Sequence, residues 1–196
     1  MSAFLGPIHS LMYDRIITCQ KVINAVGEMS KNKDWGVPVD EYMITEFAPI
    51  EDVIDLSNIH ASLFEMVDGA EKRYAGIIAA ILKDDPSRVG IIEEKIEAVG
   101  KDMHFPAGMR PKDTCLRLQE VLLDGMPCDR GSEIRDVSDN ECRLIRNTDL
   151  HSAYFVEAGM DGNMYYHFLE AFVRGLLMEY TYKAEEQFRT SLMIVE

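Results

Sequence analysis

Apolar residues recur at three- and four-residue steps over most of the chain, the spacing that places them on one face of an α-helix. Residues 39–55 are less regular and predict only a short helix near Glu41 to Phe47. The longer periodic segments predict five long helices and one short one. They cover about 5–29, 58–83, 88–100, 112–124 and 163–192, with the short helix running from Leu150 to near Gly159. The pattern therefore favours a mainly α protein.

Turn-forming residues concentrate between about 102 and 147, which we expect to be an irregular, loop-rich segment apart from its helix. Within it, residues 124–140 are rich in Gly, Asp and Ser and predict either a long surface loop or a hairpin region. Glu141 to Asn147 shows weak alternation and predicts a short strand. No internal repeat or linker is visible. We expect a single domain over residues 1–196, a helical bundle of four or five long helices.

The composition limits the class of partner. Hydrophobic residues make up 47% of the chain, and 34 acidic residues against 20 basic ones give a net charge of −14. Such a surface repels phosphate backbones and anionic lipids, so neither nucleic acid nor a membrane is expected as a partner. The N-terminal apolar stretch is interrupted by Asp14 and Arg15, and the longest apolar run, Tyr74 to Leu82, is too short for a membrane helix. These features predict a soluble, cytoplasmic protein.

The four cysteines form no CxxC pair, so the sequence gives no support for a structural zinc site or a thioredoxin-type motif. Cys19 and Cys115 lie in predicted helices, where a free thiol packs as a small apolar group. Cys128 and Cys142 lie in or beside the turn-rich loop and are candidates for reactive thiols.

Two titratable residues interrupt the apolar stripe of the second long helix. On a helical wheel, His60 and Glu71 fall only about 20° and 40° from Val67, in the middle of the stripe. A buried carboxylate without a partner costs several kcal/mol or shifts its pKa upward. The sequence therefore predicts that an Arg or Lys, a hydroxyl or a metal meets Glu71. Because His60 and Glu71 are about 16 Å apart along the helix, they belong to different parts of any cavity.

Three histidines, His9, His60 and His151, each fall in the first turn or so of a predicted helix, next to aromatic residues. Imidazole is the commonest metal ligand, and helical bundles build metal sites from side chains on facing helices. The first hypothesis is therefore a metal-binding bundle with Zn or Fe held by these histidines. The usual helical ligand spacings, such as HxxxH, are missing, so each histidine can equally fill a half-apolar slot. His9 and His60 can meet only if their helices run parallel or cross near those ends.

Such a metal-binding bundle could be a hydrolase or an oxidoreductase. Glu71 would then be a ligand, base or orienting group, and Tyr13 or Tyr154 a proton donor. A second hypothesis is a small-molecule or cofactor-binding module without catalysis, in which the histidines and Glu71 anchor the polar end of a ligand. A third is a homodimeric interaction protein whose exposed apolar stripes pack against a second copy.

Three short motifs resemble an uncharacterised family of helical proteins from anaerobic bacteria. They are FLGPIH at residues 4–9 followed by Tyr13, Asn58-Ile59-His60 with Glu71, and Asp149-Leu150-His151 with Tyr154. The resemblance covers most of the chain and implies a helical fold but no activity. A second likeness is to DinB-like four-helix bundles, which hold a metal with three histidines. The histidine spacing here differs from theirs, so that likeness implies the architecture alone.

Overall fold

The computed structural model describes residues 4–135, 138–186 and 191–195. The α-helices of these residues are α1 (Pro7–Asn32), α2 (Ile50–Val53), α3 (Ile59–Asp84), α4 (Val89–Asp102), α5 (Pro111–Val121), α6 (Ser152–Glu157) and α7 (Asn163–Leu176). The strands are β1 (Ser132–Arg135), β2 (Glu141–Arg146), β3 (Thr181–Glu185) and β4 (Ser191–Val195). Short 3₁₀ turns lie at Asp40–Tyr42, Pro86–Arg88 and Pro127–Asp129. The fold is mainly α, as predicted, but it is more than a bundle because it includes a four-stranded sheet.

The two 26-residue helices α1 and α3 pack side by side and run in the same direction. Near their first turns, the rings of His9 and His60 lie 5.6 Å apart between centroids. Further along both helices, Arg73 Nε donates a hydrogen bond to Gln20 Oε1 at 2.8 Å. Because parallel neighbours need a crossover connection, residues 33–58 return along the helix pair to bring the chain back to its starting end.

Helices α4 and α7 approach each other closely at two glycines. A Cβ atom on Gly100 would lie 2.3 Å from the backbone oxygen of Phe172, and one on Gly175 would lie 2.3 Å from the backbone oxygen of Glu97. Both distances are far below van der Waals contact, so only glycine allows this approach of the two backbones.

The sheet has the strand order β1-β2-β4-β3, with every neighbouring pair antiparallel. Its inner face packs against α5 and buries Cys142, Leu144, Leu192 and Ile194. The first two strands form the hairpin that was one of the two predictions for residues 124–140. The predicted strand at Glu141 to Asn147 is confirmed as β2.

Two element predictions are wrong. The helix expected over 163–192 ends at Leu176, and Thr181–Glu185 form β3 instead, while residues 187–190 lie outside the described part of the chain. The residues of β3 pair with β4, which in turn pairs with β2, so long-range pairing decides this segment. The short helix expected near Glu41 to Phe47 is replaced by the 3₁₀ turn and by α2.

Buried apolar side chains form two groups. The larger cluster lies between the second halves of α1 and α3, helices α4, α5 and α7, and the sheet. The smaller cluster lies between the first halves of α1 and α3 and around α2. It comprises Met12, Tyr13, Ile16, Ile50, Ile54, Ile59, Leu63, Val67, Ala70, Leu123 and Met126. Along the described chain, no helix combines the length and the apolar character needed to cross a bilayer.

All four cysteines are free thiols. Cys115 is buried as predicted and Cys19 is half-buried, whereas Cys128 is exposed. The candidate reactive thiol Cys142 is fully buried on the inner face of β2, where it faces α5. Burial also raises its pKa, so its position does not favour reactivity.

Candidate functional site

The partner of the buried Glu71 is His151. Glu71 lies on α3 with only 2% of its surface exposed, and its Oε1 atom is 2.8 Å from Nδ1 of His151. His151 is held immediately before α6, where Asp149 Oδ1 accepts the backbone N–H groups of His151 at 3.1 Å and Ser152 at 3.0 Å. The predicted burial of Glu71 and its need for a partner are confirmed, but the partner is a histidine and not the Arg, Lys, hydroxyl or metal that the sequence predicted.

The other edge of the His151 ring faces a second carboxylate. His151 Nε2 lies 3.5 Å from Asp124 Oδ1, and Arg146 of β2 binds the same carboxylate through Nη2 at 2.9 Å. One face of the ring stacks on Tyr165, with 3.9 Å between centroids. We call Glu71, His151, Asp124 and Arg146 the ionic network. It joins α3, the loop after α5, β2 and the start of α6, between the smaller and the larger cluster.

The network is electrostatically balanced. Burial alone would lower the pKa of His151, but Glu71 and Asp124 outweigh burial and raise it to about 9. Burial alone would raise the pKa of Asp124, but Arg146 and then His151 hold it well below its usual range. His151 is thus protonated and Asp124 ionised at neutral pH. All four side chains are at most 9% exposed, so the network is largely closed to solvent, although Asp124 also lines a small surface pocket beside Arg15 and Gln119.

The structure brings His9 and His60 together but places His151 elsewhere, in the ionic network. Both ring nitrogens of His151 face carboxylates, which leaves no lone pair for a metal. His9 Nδ1 accepts the backbone N–H of Gly6 at 2.9 Å, which puts the proton of the neutral ring on Nε2. No three His, Cys, Asp or Glu side chains of the described ranges are grouped to hold a metal. The three-histidine Zn or Fe site stays a prediction that this hydrogen bonding does not favour.

The residues predicted as catalytic have separate partners. Tyr154 donates to Asp68 Oδ1 at 3.3 Å, and burial together with Asp68 raises its pKa to about 12. Tyr13 donates to the backbone oxygen of Ala48 at 2.7 Å. Glu71 is bound to His151, so each of the three residues has its own hydrogen-bond partner.

A groove of about 430 Å³ opens beside the smaller cluster, bounded by α1, α3 and residues 44–53. We call it the α1/α3 groove. Its helical walls include Ile16 and Met66. The third wall presents Ile44, Phe47 and Val53, each with more than a third of its surface exposed. The groove is therefore mainly apolar along its length.

One end of the groove is polar. Gln20, only 1% exposed, donates through Nε2 to the backbone oxygen of Tyr42 at 2.9 Å and to Asn24 Oδ1 at 3.0 Å. Its Oε1 accepts the hydrogen bond from Arg73 Nε at 2.8 Å. Gln20 therefore fixes the guanidinium at the groove wall. Partial burial lowers the pKa of Arg73, and no carboxylate of the described residues forms an ion pair with it.

Sequence reasoning missed this polar end. Gln20 follows Ile16 by four residues and so lies next to it on the apolar face of the first helix, a signal that could have identified it. Arg73 carries no such signal, because the groove exists only once residues 44–53 have been placed beside α1 and α3. Asp124 lies where the predicted helix 112–124 meets the turn-rich segment 124–140, and nothing in the sequence there indicates a buried ion pair.

Comparisons of the chain with protein-family models, with curated proteins and with solved structures found no match. The resemblances noted from the sequence motifs therefore stay predictions.

Proposed function

We propose that the protein binds a small organic molecule in the α1/α3 groove and acts as a ligand-binding module. The observation that carries this proposal is the concentration of exposed apolar side chains along one groove. Ile44, Phe47 and Val53 all line it and all remain open to water. Removing apolar surface from water contributes about 25 cal/mol per Å², so an apolar ligand that covers these residues is stabilised.

The size and construction of the groove also support binding. Its volume of about 430 Å³ falls within the roughly 300–1,000 Å³ typical of small-molecule sites. Two of its walls are long helices, and Gln20 holds Arg73 in place before any ligand arrives. A preformed site loses little conformational entropy on binding.

The placement of the titratable residues favours binding over catalysis. Tyr13 lines the groove, but its hydroxyl is bound to the backbone of Ala48. Glu71 and His151, the natural acid–base pair of this chain, are buried in the ionic network. The groove thus offers a polar anchor and apolar walls without a paired acid and base of the kind that proton-transfer chemistry requires.

The neutral dye N-phenyl-1-naphthylamine tests the proposal, because its fluorescence rises in apolar surroundings. We expect saturable, near-stoichiometric binding to the wild type. Val53→Trp places an indole in the groove and should weaken binding about tenfold or more, which corresponds to about 1.4 kcal/mol. The dye titration gives the dissociation constant in each case.

Val156→Trp is the matched control. Val156 is exposed on α6 and does not line the groove, so this variant should bind the dye like the wild type. Absence of saturable dye binding in the wild type would refute the proposal. Equal weakening by both tryptophan variants would assign the dye to unspecific surface contacts and would also refute it.

A further inference from the structure

We infer that the ligand of the α1/α3 groove is an amphipathic monocarboxylate, whose apolar chain lies along the groove and whose carboxylate binds Arg73. This inference rests on the proposed function and adds the chemical class of the ligand.

The first argument is the state of Arg73 in an acidic protein. The chain has 34 acidic residues against 20 basic ones, yet no carboxylate of the described residues pairs with this half-buried guanidinium. Other arginines of the chain do find such partners. Arg174 binds Glu93 and Glu97, and Arg146 binds a carboxylate in the ionic network. An anionic group of a ligand would pair with this partly desolvated cation and offset the cost of its burial.

The second argument is the geometry of the guanidinium. Its Nε–H is used by Gln20, so the planar group is held by one edge. The two terminal nitrogens make no hydrogen bond to the described part of the chain. Together they form the fork that binds both oxygens of a carboxylate, and such charge-assisted pairs are among the strongest hydrogen bonds in proteins.

The third argument sets the charge of the ligand. Glu46 and Glu65 also line the groove, and both are exposed. Glu65 precedes Arg73 by eight residues of α3, about 12 Å along the helix axis. One cation at one end, with glutamates along the rim, favours a ligand with a single negative charge and an uncharged remainder. A phosphate ester with two charges would be repelled more strongly by these carboxylates.

Displacement of N-phenyl-1-naphthylamine by decanoate and by decanol tests the inference, since the two probes share a chain length and differ in the head group. In the wild type at pH 7.5, we expect decanoate to displace the dye at a concentration about tenfold lower than decanol, as for a hydrogen bond to a charged group. This preference should shrink at high ionic strength, because only the ionic contact is screened. It should disappear in Arg73→Met and be reduced in Arg73→Lys, which keeps the charge but loses the fork.

Arg117→Met is the matched control, because Arg117 is exposed on α5, pairs with Glu120 and does not line the groove. It should keep the full preference for decanoate. If the dye binds but decanol competes as well as decanoate, the inference fails while the proposed function stands. If the dye does not bind at all, both fail. The wild-type comparison of the two probes decides the inference even if an Arg73 variant does not fold.

Discussion

Each charged side chain of the ionic network depends on the others at the residue scale. An ion buried alone costs several kcal/mol, so removing one member leaves an uncompensated charge in the interior. His151 is held between Glu71 and Asp124, and Arg146 balances Asp124. The network is therefore a structural element whose contribution to stability follows the protonation of His151.

We expect the free energy of unfolding to decline between about pH 6.5 and pH 9. His151 has a pKa of about 9 in the folded protein, against roughly 6.5 in an unfolded chain. The folded state holds this proton more tightly, so the extra stability is complete below pH 6.5 and is lost as the pH rises through 9. The rise in the pKa of His151 on folding corresponds to about 3 kcal/mol in the free energy of unfolding. Urea unfolding at pH 6, 7 and 8 measures most of the decline before the thiols of the unfolded chain ionise.

Two variants identify the group responsible. The double variant Glu71→Gln with His151→Gln removes the titrating ring together with the carboxylate that it would leave unpaired, so its stability should vary little across this window. His60→Ala removes an exposed ring and should keep the decline of the wild type. A decline in the double variant as steep as in the wild type would show that another group titrates.

The sequence predicted the buried Glu71 but misplaced His60, and the reason is local. Near its start, α3 buries Ile59 and Leu63 but exposes His60 and Phe64. The buried face of α3 near its start therefore points in a different direction from the buried face at Val67. The direction changes because different elements pack against the helix along its length. A helical wheel assumes one buried direction throughout and therefore cannot show this change. It also cannot name the partner of Glu71, which comes from 80 residues further along the chain.

At the scale of elements, the contact between α4 and α7 depends on its two glycines. We expect Gly100→Ala to destabilise the protein by about 2 kcal/mol, within the range for overpacked sites. The new methyl group would meet the backbone oxygen of Phe172, which can move only if the helix moves. Urea unfolding of the variant gives the change in free energy.

Gly90→Ala is the control on the same helix, because a Cβ atom there would meet nothing within 4 Å. Alanine is the better helix former, so this variant should be neutral or more stable by up to about 1 kcal/mol. Equal destabilisation by both substitutions would mean that the glycines act through helix propensity and that the close approach is unimportant.

The long helices were predictable because each buries a continuous stripe, whereas the end of α7 was not. Tyr180 continues the apolar spacing of the predicted helix past Leu176, yet its hydroxyl bonds to the backbone of Pro106 and Met109. The strand that follows is stabilised by pairing with β4. The spacing of apolar residues along the chain gives no information on such tertiary contacts, so the predicted helix is longer than α7.

At the scale of the whole molecule, the path of residues 33–58 creates the groove. The sequence allowed parallel first and second helices but did not indicate them. The crossover that a parallel pair requires lays residues 44–53 along the first halves of α1 and α3, beside the smaller cluster. The binding site proposed for this protein therefore lies at the end of the molecule with the smaller buried core.

The difference in size between the two buried clusters predicts which backbone amides exchange hydrogen fastest and which of them a bound ligand protects from exchange. Binding regions are drawn from the less stable parts of a fold, so amides in residues 44–57 and in the first turns of α1 and α3 should exchange hydrogen faster than those of α7. Saturating N-phenyl-1-naphthylamine should slow exchange in these segments and leave α7 unchanged, because the proposed binding site is lined by α1, α3 and residues 44–53 and not by α7. Hydrogen exchange followed by mass spectrometry measures both effects, and Val53→Trp should abolish the protection. Protection centred on α7 would place the ligand in the larger cluster instead.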